Sequence, residues 1–190
     1  DLATAQRNFK ITLNTLYQVL EPERDSGSDS AFIMRDGTTY TLRLHTDLWL
    51  DSEQLARATR EGLKTNSAAQ LETAMNLYRG DYLPDSLYET WAAEERERIS
   101  AMFLEAADKL CELYIQNGKY TEAIELCQRV LAKDNCWERA YRHLMTAYNY
   151  VGDRGQLART YQRCLQTLQD ELDVSPSEET QELYKKLVRS

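Results

Sequence analysis

The stretch LCELYIQNGKYTEAIELCQRVL, residues 110–131, has a counterpart 34 positions later in LMTAYNYVGDRGQLARTYQRCL, residues 144–165. Apolar residues recur every three or four positions in both copies, which predicts α-helix. A glycine in the middle of each copy, Gly118 or Gly152, marks the end of a first helix and the approach of a second. The further matches are Leu110 with Leu144, Tyr114 with Tyr148, Gln128 and Arg129 with Gln162 and Arg163, and Leu131 with Leu165.

This period is that of tetratricopeptide repeats, in which each pair of helices buries its apolar stripe by stacking on the next pair. Ala123 occupies the small position where the two helices of a unit approach closely, and Leu157 and Ala158 follow in the second unit. The Trp and Pro positions of the consensus are not kept, so the repeats are degenerate. We therefore predict a mainly α fold of tetratricopeptide-like helical repeats.

Helical periodicity extends over nearly all of the chain from about residue 47. Two helices have start signals, Ser67 answered by Gln70 and Ser175 answered by Glu178, and the second also has Pro176 at its first helical position. The predicted helices are 51–62, 67–79, 87–117, 120–133, 137–151, 154–171 and 176–188.

Residues 1–20 form one more predicted helix, with different side chains on its two faces. At about 100° per residue, Leu2, Phe9, Leu13, Leu16 and Leu20 share one face, which we expect to be core. The opposite face is polar and weakly basic, and it collects Thr4, Arg7, Ile11, Asn14 and Gln18, with Lys10 on its flank.

A β-hairpin is predicted next, over residues 31–44, after a loop at 21–30. Asp36-Gly37 lies between two β-prone runs. A type I′ turn needs positive φ at both central residues, and an Asp-Gly pair adopts it readily, so this pair predicts the turn of a hairpin. With that turn Ile33 lies opposite Tyr40, and Arg35 sits at the tip. The small N-terminal part of the fold is thus a helix plus a hairpin.

Composition limits the classes of function. The chain has 190 residues with 23 Lys and Arg against 31 Asp and Glu, a net charge of −8. Such a chain repels phosphate as a whole, so nucleic-acid binding requires a local basic patch or a neighbouring domain. We found no span of the roughly 20 apolar residues that cross a bilayer and no signal peptide, so we expect no membrane association and a cytoplasmic location.

No constellation of residues predicts catalysis, a cofactor or a metal site. The two histidines, His45 and His143, are 98 positions apart, and we expect each to be a surface or partly packed side chain. The four cysteines are widely spaced within helical patterns, where a reduced thiol packs as a small apolar group: Cys111, Cys127, Cys136 and Cys164. Carboxylates and arginines at 94–98 alternate as in a solvated, ion-paired helix face. We therefore predict a protein that is not an enzyme.

The first helix and the hairpin have the form of the C-terminal half of a winged helix-turn-helix. In that motif the helix enters the major groove, and the wing places an arginine in or beside the minor groove. Residues 1–46 are then the recognition helix and wing of a DNA-binding domain, and 47–190 are a separate helical domain. The alternative is an ordinary amphipathic helix and hairpin that cap a tetratricopeptide scaffold binding a protein or peptide, unrelated to DNA.

Three motifs in order resemble one known family. They are Tyr78-Arg79-Gly80-Asp81-Tyr82-Leu83, then Trp91-Ala92-Ala93-Glu94-Glu95-Arg96-Glu97-Arg98-Ile99, then the degenerate repeats. This succession is similar to the bacterial transcriptional activator domain, which follows the winged helix in antibiotic regulatory proteins and related regulators. Residues 13–22 are similar to the end of that family's recognition helix, and 35–42 to its wing, although the common Gly before Tyr is Thr39 here.

The resemblance implies roles for particular residues and partners. Arg7, Lys10 and Asn14 would face DNA, Arg35 would meet the backbone or the minor groove, and the exposed Ile11 would add a thymine-methyl contact. The helical domain would support self-association as a homodimer, recruitment of RNA polymerase and communication with other domains of the same regulator. The family's winged helix begins before the recognition helix, so this chain would be a fragment of a DNA-binding transcriptional regulator. We therefore expect weak or absent DNA binding by the chain alone.

Overall fold

The computed structural model describes residues 1–25, 27–43 and 49–189, which divide into two compact units. Residues Asp1–Trp49 make the first, called here the N-terminal unit, and Leu50–Ser190 make the second, called the helical unit. The structure is mainly α, with a small helix and a two-stranded antiparallel hairpin in the N-terminal unit, as the sequence predicts.

The helical unit contains seven of the eight α-helices in the described residues. They are α2 (Asp51–Thr65), α3 (Ala68–Leu77), α4 (Ala93–Gln116), α5 (Tyr120–Lys133), α6 (Glu138–Tyr150), α7 (Arg154–Leu172) and α8 (Glu178–Arg189). Each helix from α2 to α6 packs on the next one, and α2, α4, α6 and α8 also pack successively on one another. The result is two layers, with α3, α5 and α7 in the second layer, as in a tetratricopeptide stack.

The two sequence repeats end their first helices in the same way. Gly118 follows α4 with φ of 72°, and Gly152 follows α6 with φ of 77°, a left-handed conformation that glycine adopts without strain. The amide of the residue after each glycine donates to a tyrosine carbonyl five residues back, Lys119 to Tyr114 at 2.8 Å and Asp153 to Tyr148 at 2.9 Å. The predicted repeat is therefore confirmed at the level of individual hydrogen bonds.

The core runs along the interface of the two layers. Small, aliphatic and aromatic side chains fill it, and Ala123 is fully buried. The largest fully buried side chains include Tyr141, Leu71 and Leu110. Tyr78 stacks on Phe103 with ring centroids 4.1 Å apart, which joins the end of α3 to the middle of α4.

Gly62 does not end its helix, although the prediction stopped α2 there. The helix continues to Thr65 and ends at Asn66, which has a left-handed φ of 50°. A Cβ atom on Gly62 would lie only 2.7 Å from the Leu71 side chain. Glycine is therefore needed at this position for the close packing of α2 on α3.

Two other helix starts differ from the prediction. Helix α4 begins at Ala93 rather than at 87, after short 3₁₀ turns at Pro84–Ser86 and Thr90–Ala92, because aromatic and β-branched residues before it disfavour helix. The predicted cap at Ser175 is wrong, since α8 begins at Glu178. Ser177 precedes it, and the Glu138 carboxylate accepts hydrogen bonds from both the amide and the hydroxyl of Ser177. The predicted Ser67 cap of α3 is confirmed, with its hydroxyl accepting from the Gln70 amide.

All four cysteines are free thiols, and three of them are buried. The Sγ atoms of Cys111 and Cys127 lie 3.4 Å apart between α4 and α5, and this contact together with burial raises the pKa of the Cys111 thiol. Burial also raises the pKa of Cys164 to about 12. The three buried thiols pack as small apolar side chains, as predicted, but Cys136 lies in the turn between α5 and α6 rather than in a helix and is half-buried.

The N-terminal unit consists of α1 (Leu2–Leu20) and a hairpin of β1 (Ile33–Asp36) and β2 (Thr39–Leu42). The predicted hairpin register is wrong by two residues: Ile33 lies opposite Leu42, and Asp36 lies opposite Thr39. Gly37 has φ of 59° and Thr38 has no positive φ, which is the pattern of a type II′ turn centred on Gly37-Thr38. A shift of two residues leaves the same side chains on each face of the hairpin.

Candidate nucleic-acid interface

The polar face of α1 is exposed along its length. Arg7, Ile11 and Asn14 follow one another at three- and four-residue intervals, so they share one side of the helix, with Lys10 beside them. All four side chains are exposed, and none has a hydrogen-bonding or ionic partner among the residues that the structure describes. This face is therefore free to meet a ligand.

The apolar face of α1 contacts the hairpin through Phe9. The ring of Phe9 lies 5.2 Å from that of Tyr40, at an interplanar angle of 60°. The expectation that this face is core is wrong for the described chain, because no residue of α1 is buried and Leu2, Phe9 and Leu16 are largely exposed. Only Leu13, Tyr17 and Leu20 are half-buried.

The C-terminal end of α1 is tied to the start of the hairpin by Glu21. Its carboxylate accepts hydrogen bonds from the Ser30 hydroxyl and, at 2.8 Å, from the Ala31 amide. These two bonds hold the pKa of the Glu21 carboxyl below its ordinary value. The Ser30 hydroxyl also accepts from the Ile33 amide at 2.8 Å, and Ile33 is buried. Helix and hairpin are thus joined by hydrogen bonds at the C-terminal end of α1 and by the contact of Phe9 with Tyr40 in its first half.

Arg35 is not at the hairpin tip, where the sequence predicted it, because the turn is centred one residue later. It lies opposite Tyr40 in the ladder. Its Nε donates to the Gly37 carbonyl at 3.0 Å, and its guanidinium carbon lies 5.6 Å from the Tyr40 ring centroid. The side chain is exposed, so its remaining N–H groups are still available to an acceptor.

The five predicted residues therefore lie on two elements. The side of α1 that carries Arg7, Ile11 and Asn14 is opposite the side that carries Phe9, which contacts the hairpin. No hydrogen bond or ring contact joins Arg35 to the α1 residues within the described part of the chain. Residues 1–49 carry seven Asp and Glu against five Lys and Arg, so the basic side chains of α1 act as a local patch on a slightly acidic unit.

A charged cluster in the helical unit was not predicted. Asp108 of α4 accepts from His143 Nε2 at 2.8 Å and from Arg139 at 2.6 Å, both on α6. Arg142 binds Glu179 of α8 at 3.2 Å, so the cluster spans three successive helices of one layer. The sequence repeat could have predicted this cluster. Residues one period apart on adjacent helices of a stack lie side by side, and Asp108 and Arg142 are 34 positions apart.

The state of Asp108 follows from these partners. Burial opposes its ionisation, but the hydrogen bonds from His143 and Arg139, together with the positive charge of Arg139, outweigh burial and lower the pKa of the Asp108 carboxyl. His143 is a partly packed side chain, as predicted. The other histidine, His45, lies outside the described residues.

The described residues hold no group of three or more His, Cys, Asp or Glu side chains placed to bind a metal ion. None of the helices in that part of the chain is both long enough and apolar enough to cross a bilayer.

Comparison with known proteins adds one finding. The family model for the bacterial transcriptional activator domain matches residues 47–188, which is most of the chain and nearly all of the helical unit. A search of curated proteins finds no match.

Proposed function

Because the chain belongs to the bacterial transcriptional activator domain family, we propose that it acts within a DNA-binding transcriptional regulator, the N-terminal unit contacting DNA and the helical unit contacting proteins. The mechanism is not enzymatic. DNA recognition holds the helical unit beside a promoter, where its surfaces recruit RNA polymerase, contact a second copy and exchange signals with other domains.

One observation supports the DNA-contacting role most strongly. The polar face of α1 is exposed and has no partner among the described residues, and Phe9 on the opposite face contacts Tyr40 of the hairpin. Arg7 and Lys10 are suited to phosphate oxygens, and the Asn14 amide to the edge of an adenine. Ile11 offers an apolar contact to a thymine methyl group, and Arg35 contacts the DNA backbone or the minor groove.

The charge of the chain limits its affinity for DNA. With a net charge of −8, the chain repels phosphate at long range, and the basic side chains of α1 attract it only locally. We therefore propose that DNA binding by the chain alone is weak or absent and that residues outside it strengthen the contact.

The protein-contacting role is supported by the two-layer architecture. Stacked helical pairs present extended surfaces built from several helices, and such surfaces typically bind proteins. A tetratricopeptide scaffold that binds a protein or peptide without any role on DNA is the alternative, and it predicts no dependence of any function on Arg7 or Lys10.

The DNA contact is tested by fluorescence anisotropy on a random-sequence duplex pool at two salt concentrations, using the chain with any coding sequence that precedes it in its gene. Arg7→Ala combined with Lys10→Ala should weaken binding and reduce the slope of log K against log salt by about 2, one for each lost phosphate contact. The matched control is Arg154→Ala with Lys185→Ala, two exposed basic residues of the helical unit. Equal loss in both double variants would contradict the assignment to α1.

Recruitment is tested separately by capture of purified bacterial RNA polymerase on the immobilised chain. Capture that is unchanged in the Arg7 and Lys10 variant supports a division of labour between the units. No capture and no DNA binding would instead favour the scaffold.

A further inference from the structure

The segment between α3 and α4 is held in a defined conformation. Arg96 of α4 donates to two backbone oxygens of this segment, that of Tyr82 at 3.2 Å and that of Ser86 at 3.0 Å. Within it, the Ser86 amide donates to the Leu83 oxygen at 2.9 Å and the Glu89 amide to the Ser86 oxygen at 3.1 Å. These bonds make residues 83–91, called here the aromatic loop, a built element of the helical unit.

The aromatic loop leaves large apolar side chains in solvent. Tyr88 is 99% exposed, Trp91 is 68% exposed, and Leu87 and Leu83 are 45% and 39% exposed. A single exposed apolar residue is ordinary, but four in nine residues, two of them aromatic, mark an interaction surface. Tryptophan and tyrosine are also the residues that most often dominate binding energy at interfaces.

A cavity of about 400 Å³ adjoins this loop. Leu83 of the loop lines it together with Leu55, Leu77 and Ile99. Asp51, Asp81 and Arg79 lie at the same cavity, and Asp81 is paired with Lys133. An apolar pocket of this size can take one apolar side chain of a partner.

The surroundings of the loop are acidic. Residues 79–98 carry six carboxylates against three arginines, of which Arg96 is committed to the loop backbone and Arg98 to Glu95 at 2.7 Å. In the described part of the chain, four of the carboxylates are exposed and have no ion-pair partner: those of Asp85, Glu89, Glu94 and Glu97.

We propose that the aromatic loop and its adjoining cavity dock a basic, apolar segment of another protein, one that carries arginine or lysine beside leucine-like side chains. The inference rests on the proposed protein-contacting role of the helical unit and gives that role a surface. The partner's apolar side chains fill the cavity and cover Trp91 and Tyr88. Its cationic groups lie over the aromatic faces and meet the free carboxylates.

Charge separates this partner from other occupants. Two copies meeting through the same loop would bring like charges together, because a two-fold interface places each patch on itself. DNA and anionic lipid surfaces are negative and are repelled by the same carboxylates. A basic protein segment satisfies both the apolar and the electrostatic features of the loop.

The probe is a synthetic peptide of about 16 residues, with leucine at helical spacing and arginine at most other positions, long enough to form a helix on binding. A matched peptide has glutamate in place of every arginine. Binding to the intact chain is measured by isothermal titration calorimetry at two salt concentrations. We expect the basic peptide to bind and the acidic peptide to fail to bind.

Variants then locate the contact. Trp91→Ala and Tyr88→Ala should each weaken binding by about tenfold or more, as expected for exposed aromatic anchors. Glu89→Lys with Glu94→Lys should also weaken it, and should lower its sensitivity to salt. The controls are Leu172→Ala on α7 and Glu105→Lys on α4, which change exposed residues outside the loop. Circular dichroism and urea unfolding establish that each variant is folded.

Three results would overturn the inference: no binding of the basic peptide, equal binding of the acidic peptide, or equal effects of loop and control variants. A dimer seen by sedimentation that Trp91→Ala dissociates would also overturn it, because the occupant would then be a second copy. Polymerase capture separates the two proposals. If capture persists while the loop variants have no effect on the peptide, the protein-contacting role stands and the assigned surface is wrong.

Discussion

Replacing Gly62 by alanine should destabilise the helical unit, although alanine is the better helix former. An added Cβ would lie 2.7 Å from Cγ and Cδ2 of Leu71 and 3.1 Å from its backbone nitrogen. Leu71 is fully buried, so it cannot swing aside, and α2 has to move away from α3. Overpacking of this kind costs about 1–3 kcal/mol, whereas the gain in helix propensity is at most about 1 kcal/mol.

We therefore expect Gly62→Ala to lower the free energy of unfolding by about 1–2 kcal/mol, and to lower Tm by a few degrees, at roughly 2–4 °C per kcal/mol for a chain of this size. The same exchange at Gly155, in the first turn of α7, is the matched control. There the nearest atoms to an added Cβ lie 3.4 Å away, on the Arg159 and Asp153 side chains. Gly155→Ala should stabilise the unit by about 0.5 kcal/mol, because it reduces the freedom of the unfolded chain.

Urea unfolding followed by circular dichroism at 222 nm gives both free energies. The two substitutions should change them in opposite directions. If Gly62→Ala stabilises the protein as Gly155→Ala does, the close approach of α2 and α3 is not what requires glycine, and the packing argument fails.

Three further predictions concern groups that the fold has fixed. Arg129 donates from one nitrogen to the carbonyls of Met75 and Tyr78, so Arg129→Met should lower the free energy of unfolding in urea by about 1–3 kcal/mol. The control is Arg163→Met, because Arg163 is the repeat equivalent of Arg129 and has no hydrogen bond in the described chain. A smaller loss from Arg129→Met than from Arg163→Met would contradict this prediction. The pKa of Asp108 is lower in the folded than in the unfolded protein, so its ionised carboxylate stabilises the fold. This contribution to the free energy of unfolding is present above the unfolded pKa of about 3.9 and is lost as pH falls through the folded pKa. The stability difference between wild type and Asp108→Asn should therefore be larger at pH 6 than at pH 3, and a constant difference would refute the linkage. In native protein, dithionitrobenzoate should modify only the half-buried Cys136, with the other three thiols reacting in urea; rapid reaction of all four would mean that the core opens readily.

Local signals in the sequence predicted most of the helical unit. The repeated Tyr and Gly residues lie where hydrogen bonds end the first helix of each repeat, and those bonds join residues that are close in the sequence. By contrast, Gly62 is typical of a helix end in the local sequence, and only its close approach to Leu71, nine residues later, explains why a glycine lies inside α2. Arg129 and Arg163 occupy equivalent positions in the repeat, yet of the two it is Arg129 that binds the carbonyls at the end of α3. Comparing the two repeat sequences could not predict this difference.

Of the candidate DNA-contacting residues, the sequence predicted the placement of those on α1 but not that of Arg35. Helical period alone places Arg7, Ile11 and Asn14 together on one side of α1, and the structure has them there. The position of Arg35 depends on whether Gly37 is the first or the second central residue of its turn. Both choices are good turns for an Asp-Gly pair with β-prone neighbours, so sequence alone could not decide between them.

The order of contacts in the helical unit has a consequence for how the chain acquires its structure. The principal contacts join helices that are one or two elements apart along the chain. Docking neighbours closes only short loops, so little chain entropy is lost before each contact forms, and topologies of this kind fold quickly. No early helix waits for a distant partner. We therefore expect the helical pairs to fold in succession as they leave the ribosome, so that the first pairs of the stack are complete while α8 is still being synthesised.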